Sequence, residues 1–257
     1  VQAGFQGQAA FVPPPRPISD ITALLEQASP DPVRVASLRA LALAVPPAGA
    51  MPGTLYEFLL RRGQARSELG LLDGQLSDMR EAVRVGEAAQ LDASRAYQGL
   101  AGAESLAGNN RNALAVARKR VAAARVANQP GNIGAGEAMV ASFEAALGDF
   151  AASERTLDSA RRWLLDPGYV RSPAFRWRAA DHAILRSSAE IHLLAGRHAE
   201  AESDARVAVE YSERIAANKD DALRELPHLS EEFFNDWVLR SREVLGRVLQ
   251  RQGRLVE

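Results

Sequence analysis

Apolar residues recur at helical spacing from residue 18 to the C-terminal end, and no run of β-branched residues alternates with polar ones. That pattern predicts helices throughout and essentially no strand. The first 17 residues lack the periodicity and carry Pro13, Pro14, Pro15 and Pro17, so they read as an extended, mobile arm with polyproline II character. Ser19 and Asp20 are placed to cap a short helix reaching about Ala28. Asp31 before Pro32 suits an N-cap and first helical position, opening a helix to about Val45. The stretch PPAGAMPG then breaks the chain, and Thr54 with Glu57 reads as the capping box of the next helix. The predicted organisation is an arm over 1–17, a helical cap over 18–53 and a repeat domain over 54–257.

The repeat shows when the chain is aligned on its glycines. LGLLDGQLSDMREAV (69–83), AGNNRNALAVARKRV (107–121), LGDFAASERTLDSAR (147–161) and AGRHAEAESDARVAV (195–209) each carry a glycine between two amphipathic helices. A glycine accepts the left-handed conformation that ends a helix, having no Cβ to clash. Twelve residues after it comes Ala82, Ala160 or Ala208, and in the second copy Arg120. Seven residues before it sits Gly63, Ala101, Ala141 or Ala189. Small residues at fixed intervals let neighbouring helices approach closely, and added bulk there costs roughly 1–3 kcal/mol.

These features resemble the tetratricopeptide repeat, best in LRSSAEIHLLAGRHAEAESDARVAVE with Ala189, Gly196, Ala201 and Ala208. The copy around Gly70 has Gly63 and Ala82 but departs at Gln75. The turn glycines at 70, 108, 148 and 196 lie 38, 40 and 48 apart, against the family's period of about 34. That excess implies longer helices or longer connections, such as QPGNIGAGE and DPGYVRSPAF, as in long-helix variants of the repeat. A HEAT-type solenoid is the alternative. The resemblance implies an all-α solenoid of antiparallel helix pairs, a right-handed superhelix of about four repeats plus an incomplete fifth. The long helical pattern at 231–252 leads to Gly253, the turn glycine of that fifth copy, and the expectation is a fragment of a longer protein.

The net charge of −1 gives no overall attraction to nucleic acid or anionic lipid, and no apolar run is long enough to span a membrane. With 48 alanines and no cysteine, close helix packing rather than a disulfide framework is expected. Only Lys119 and Lys219 among the 31 basic residues are lysines, a usage that suggests a high-GC bacterial genome. A start at Val1 fits a processed N-terminus or an arbitrary boundary, so cytoplasm and export both stay open.

Charge is polarised along the chain. Residues 105–136 carry Arg111, Arg118, Lys119, Arg120 and Arg125 with no acid, whereas 200–236 hold eleven acids against four bases. The readings are solvated helix faces, contact with an acidic protein surface, and last a phosphate track, because few aromatics accompany the bases. Of His182, His192, His198 and His228, none has metal-ligand spacing, and all are expected to be exposed or half-packed. GNIGAGE (131–137) lacks the strand that a phosphate loop follows and is expected to be a linker between helices. No catalytic constellation and no cofactor or metal site is predicted.

In the family the resemblance points to, partners lie in the concave groove lined by first helices. Mapped by repeat position, that lining comprises Gln64 and Glu68, then Arg95, Gln98 and Ser105, then Ser142, then Arg186 and Glu190, and finally Arg240, Glu243 and Arg247. The lysine–asparagine clamp for a peptide's terminal carboxylate is not recognisable. The expectation is a non-enzymatic scaffold for a protein or peptide, which could be another domain of the same protein. The alternatives are the regulatory arm of a larger enzyme, similar to arms joined to CHAT-type proteases, and a ligand- or peptide-sensing arm.

Overall fold

The structure, a computed structural model, describes residues 31–171, 179–225 and 231–254. It is 82% helical, with twelve helices and no strand among the described residues. They are α1 (Pro32–Leu43), α2 (Pro52–Glu68), α3 (Leu72–Ala88), α4 (Ser94–Leu106), α5 (Asn110–Val126), α6 (Pro130–Ala146), α7 (Phe150–Trp163), α8 (Pro167–Val170), α9 (Ala179–Leu194), α10 (His198–Ala217), α11 (Lys219–Glu225) and α12 (Glu231–Arg251). The arm over 1–17 and the short helix expected near Ala28 lie outside the described residues, as does His228.

Successive helices pack in adjacent pairs from α1 to α7. Beyond the short α8, α9 packs on α6 and α10, and α12 packs on α10. The apolar interior is a string of linked clusters. One joins α2, α3 and α4 around Leu59, Met79 and Tyr97; others join α5 to α6 and α6 to α7 and α9.

The turns explain the glycine pattern. Gly70, Gly108, Gly148, Gly196 and Gly253 all have φ between +71° and +85°. At each, the next residue's amide donates five residues back, as from Leu71 to Arg66 at 2.8 Å and from Asp149 to Glu144 at 2.9 Å. This pairs two helix-end carbonyls that would otherwise lack donors. The turns after α3 and α5 use the same bond with Gln90 (φ +55°) and Asn128 (φ +51°) in place of glycine.

The small residues lie where helices touch. Gly63, Ala101, Ala141 and Ala189 are buried, as are Ala82, Ala113, Ala160, Ala201 and Ala208. Ser153 shows how close the approach is: from α7 its hydroxyl donates across to the Ala141 carbonyl of α6 at 2.8 Å. Gly246 holds the corresponding place before Gly253, yet it is exposed with open space where its Cβ would point. Burial at the other four comes from the helix that follows the turn.

Three local expectations need correction. Helix α2 begins at Pro52 with Met51 as N-cap and no side-chain cap bond, so Thr54 lies inside the first turn and no capping box forms. Proline fixes the helical φ two residues earlier than the Thr–Glu pair would. QPGNIGAGE is not a connection: from Pro130 onward it is the start of α6. Its glycines serve close packing, since a Cβ on Gly131 would stand 2.8 Å from the Tyr169 ring and one on Gly136 would stand 2.9 Å from Val121 Cγ2. His182 is neither exposed nor half-packed but 3% exposed, stacked on Trp237 at 4.5 Å between ring centroids.

Candidate functional site: a groove between α1, α2 and α4

The sequence holds α1 against α2 through charge. The Asp78 carboxylate of α3 is buried and accepts from two arginines of α2, Arg62 at 2.7 Å and Arg66 at 2.8 Å. Their remaining donors reach the end of α1: Arg62 Nη1 donates to the Ala44 carbonyl at 2.8 Å and Arg66 Nε to the Ala42 carbonyl at 3.2 Å. Carbonyls at a helix C-terminus lack intrahelical partners and carry the negative end of its dipole, so guanidinium groups suit them. The clamp fixes α1 beside α2 and leaves an open groove where both meet α4.

This groove has a volume of about 330 Å³. Its apolar part comes from Leu38 and Leu41 of α1, Leu60 and Ala65 of α2, and Met79 of α3. Met79 reaches it because two glycines make room: a Cβ on Gly63 would collide with Met79 Cε, and one on Gly99 would lie 2.6 Å from its sulfur. An unbranched thioether in that place adapts to irregular surfaces. The polar rim is Arg61, Gln64, Glu68 and Arg95. Glu68 accepts from Arg34 at 3.0 Å and from Gln64 at 3.2 Å, while Arg95 meets Glu57 at 3.2 Å. Arg61 is exposed and has no hydrogen-bond or ion-pair partner among the described residues.

Three of the expected site residues, Gln64, Glu68 and Arg95, therefore converge on one groove. A second group meets between α9 and α12, where Glu190 accepts from Arg186 at 3.1 Å and from Arg247 at 3.0 Å, with Glu243 at 3.9 Å from Arg247. The others stay apart. Gln98 is exposed, Arg240 pairs with Asp236 at 2.6 Å, Ser105 donates to Asn110 at 3.2 Å, and Ser142 donates to its own helix at Ala138. Sequence reasoning missed Arg61, Leu38, Leu41 and Met79. The three-residue spacing of Leu38 and Leu41 marks a helix stripe, but its direction depends on how α1 docks.

The basic block is largely neutralised from other helices. Arg118 pairs with Glu144 at 3.0 Å, Lys119 with Glu87 at 3.3 Å, and Arg125 with Glu137. Arg80–Glu104, at 2.7 Å, repeats the Arg118–Glu144 geometry one copy earlier. In both pairs the arginine stands ten residues after a turn glycine, and the buried glutamate four residues before the next. Burial alone would raise the Glu104 pKa, but hydrogen bonds from Arg80 and Asn109 outweigh it and hold the carboxyl below its ordinary range.

One serine–histidine contact tests the idea of a nucleophile. His182 Nε2 lies 2.7 Å from Ser241 Oγ. The serine is wholly buried, and its hydroxyl donates to the Trp237 carbonyl at 2.9 Å. No substrate reaches it, so the pair is a packing contact. His192 is half-buried, with Nδ1 3.2 Å from Asp204 but poorly aligned for a hydrogen bond. Among the described residues no three potential ligands cluster as a metal site, and no helix is long and apolar enough to cross a membrane.

Neither protein-family models nor curated proteins match the chain.

Proposed function

We propose that this protein is a tetratricopeptide-type scaffold that binds a peptide or protein segment along the face shared by α2 and α4. One observation carries the reading: an open groove with an apolar floor and a charged rim, lined by three residues that the repeat register singles out. Its geometry suits an extended segment that places an apolar side chain between Leu41, Leu60 and Met79. Arg61, which has no partner, and Arg95, which has only an exposed one, favour an acidic residue beside that side chain. The five like turns and the buried small-residue positions support the repeat assignment.

A peptide library selected on the wild-type chain tests this. Enriched sequences should pair an apolar with an acidic residue and bind the double variant Arg61→Glu/Arg95→Glu at least about tenfold more weakly, a loss of roughly 1.4 kcal/mol. Circular dichroism of the variant should stay unchanged, because both side chains are exposed. No enrichment, or equal binding to the variant, would overturn the proposal.

A further inference from the structure

Size is traded across each joint between a helix that follows a turn glycine and the helix that leads to the next one. Nine residues after the glycines stand Met79, Ala117, Leu157 and Ala205, and nine before the next ones stand Gly99, Met139, Ser187 and Val244. A large residue at one place goes with a smaller one at the other. Met139 packs against the cluster that holds Ala117, and Val244 shares a cluster with Ala205. Only Met79 has a glycine as its counterpart. A Cβ on Gly99 would stand 2.6 Å from the Met79 sulfur, and one on Gly63 of α2 would collide with its terminal methyl.

Glycine inside a helix weakens it relative to alanine, so α4 is less stable for carrying Gly99. What the glycine admits is a thioether that reaches from α3 to the groove, which Met79 and Gly99 both line. Leu38, Leu41 and Leu60 supply aliphatic walls, and among the described residues no aromatic side chain lines the groove. An aromatic ring meets a thioether favourably, with the sulfur about 5 Å away and often at the ring edge, whereas an aliphatic side chain gains only burial. A ring also brings a large apolar area with few rotatable bonds to immobilise.

We propose that the groove takes an aromatic side chain as its apolar anchor. Met79 is the residue that determines this specificity, and Gly99 makes room for its sulfur. The inference rests on the peptide-binding reading of the same groove and narrows the class of segment that fits it: an aromatic residue with an acidic neighbour facing Arg61 and Arg95.

An array of peptides in which an aspartate follows one variable position, incubated with the full chain, tests it. Aromatic residues at that position should be retained best. Leucine, isoleucine or valine retained best would overturn this inference and leave the peptide-binding reading standing; no retention at all would overturn both. Exchanging phenylalanine in a retained peptide for cyclohexylalanine, the same carbon skeleton without π electrons, should weaken binding about three- to tenfold. With Met79→Leu, which keeps the volume and loses the sulfur, the two peptides should bind within about twofold of each other. An unchanged ratio in that variant would sink the proposal. Gly99→Val/Met79→Ala transplants the Ala205–Val244 pairing of the α10–α12 joint. It should keep the circular dichroism of the wild type and bind the phenylalanine peptide at least about tenfold more weakly. Wild-type affinity in the folded double variant would also sink the proposal, and if that variant unfolds, Met79→Leu decides alone.

Discussion

Gly148 has φ +85°, and any side chain there meets the following carbonyl. Replacing it with alanine should cost about 1–2 kcal/mol, read as a lower urea midpoint with an unchanged slope. Asn128 holds a similar conformation at φ +51°. Asparagine tolerates that region through local hydrogen bonding, so its turn survives without glycine. Turn glycines are legible in the sequence for this reason, whereas Gln90 and Asn128 give no comparable signal. The same limit hid the helical role of Gly131, Gly134 and Gly136. A glycine required by a close neighbour looks, in sequence, like one required by a bend.

Between elements, charge sets the register. Asp78 is 1% exposed and neutralises two arginines that also hold the end of α1. Asp78→Ala leaves both guanidinium groups without their shared carboxylate, and a loss of about 3–5 kcal/mol is expected. Hydrogen exchange should locate that loss in α1 and the second half of α2, before the rest of the chain opens. Protection lost evenly across the molecule would contradict the clamp. The Arg80–Glu104 and Arg118–Glu144 pairs do the same between later helices, and their common offset from the turn glycines was present in the sequence. It went unread because a pairing across some 25 residues has meaning only once the hairpin geometry is known.

For the whole molecule, acid is the informative perturbation. Burial, with the Arg186 charge adding to it, pulls the His182 pKa from 6.5 down to about 3. The folded chain therefore binds fewer protons than the unfolded one between those values. Stability from this residue is complete above pH 6.5 and falls as pH drops toward 3, by roughly 1.4 kcal/mol per unit. Urea titrations between pH 7 and pH 4 should show that slope, and His182→Gln should flatten it. A slope unaltered in the variant would assign the acid sensitivity to other groups.

At this scale the local charge of the basic block proved a poor guide. Lys119, Arg118 and Arg125 are met by Glu87, Glu144 and Glu137 from two other helices, α3 and α6. The all-helical class, the turn glycines and the buried alanine positions were determined by the sequence alone, because helix period and backbone conformation are local properties. Which charges cancel, which glycines admit a neighbour, where His182 lies, and that α1 closes one side of a groove were decided only in three dimensions. Each depends on atoms brought together from distant segments, and spacing along one chain does not encode a distance between helices.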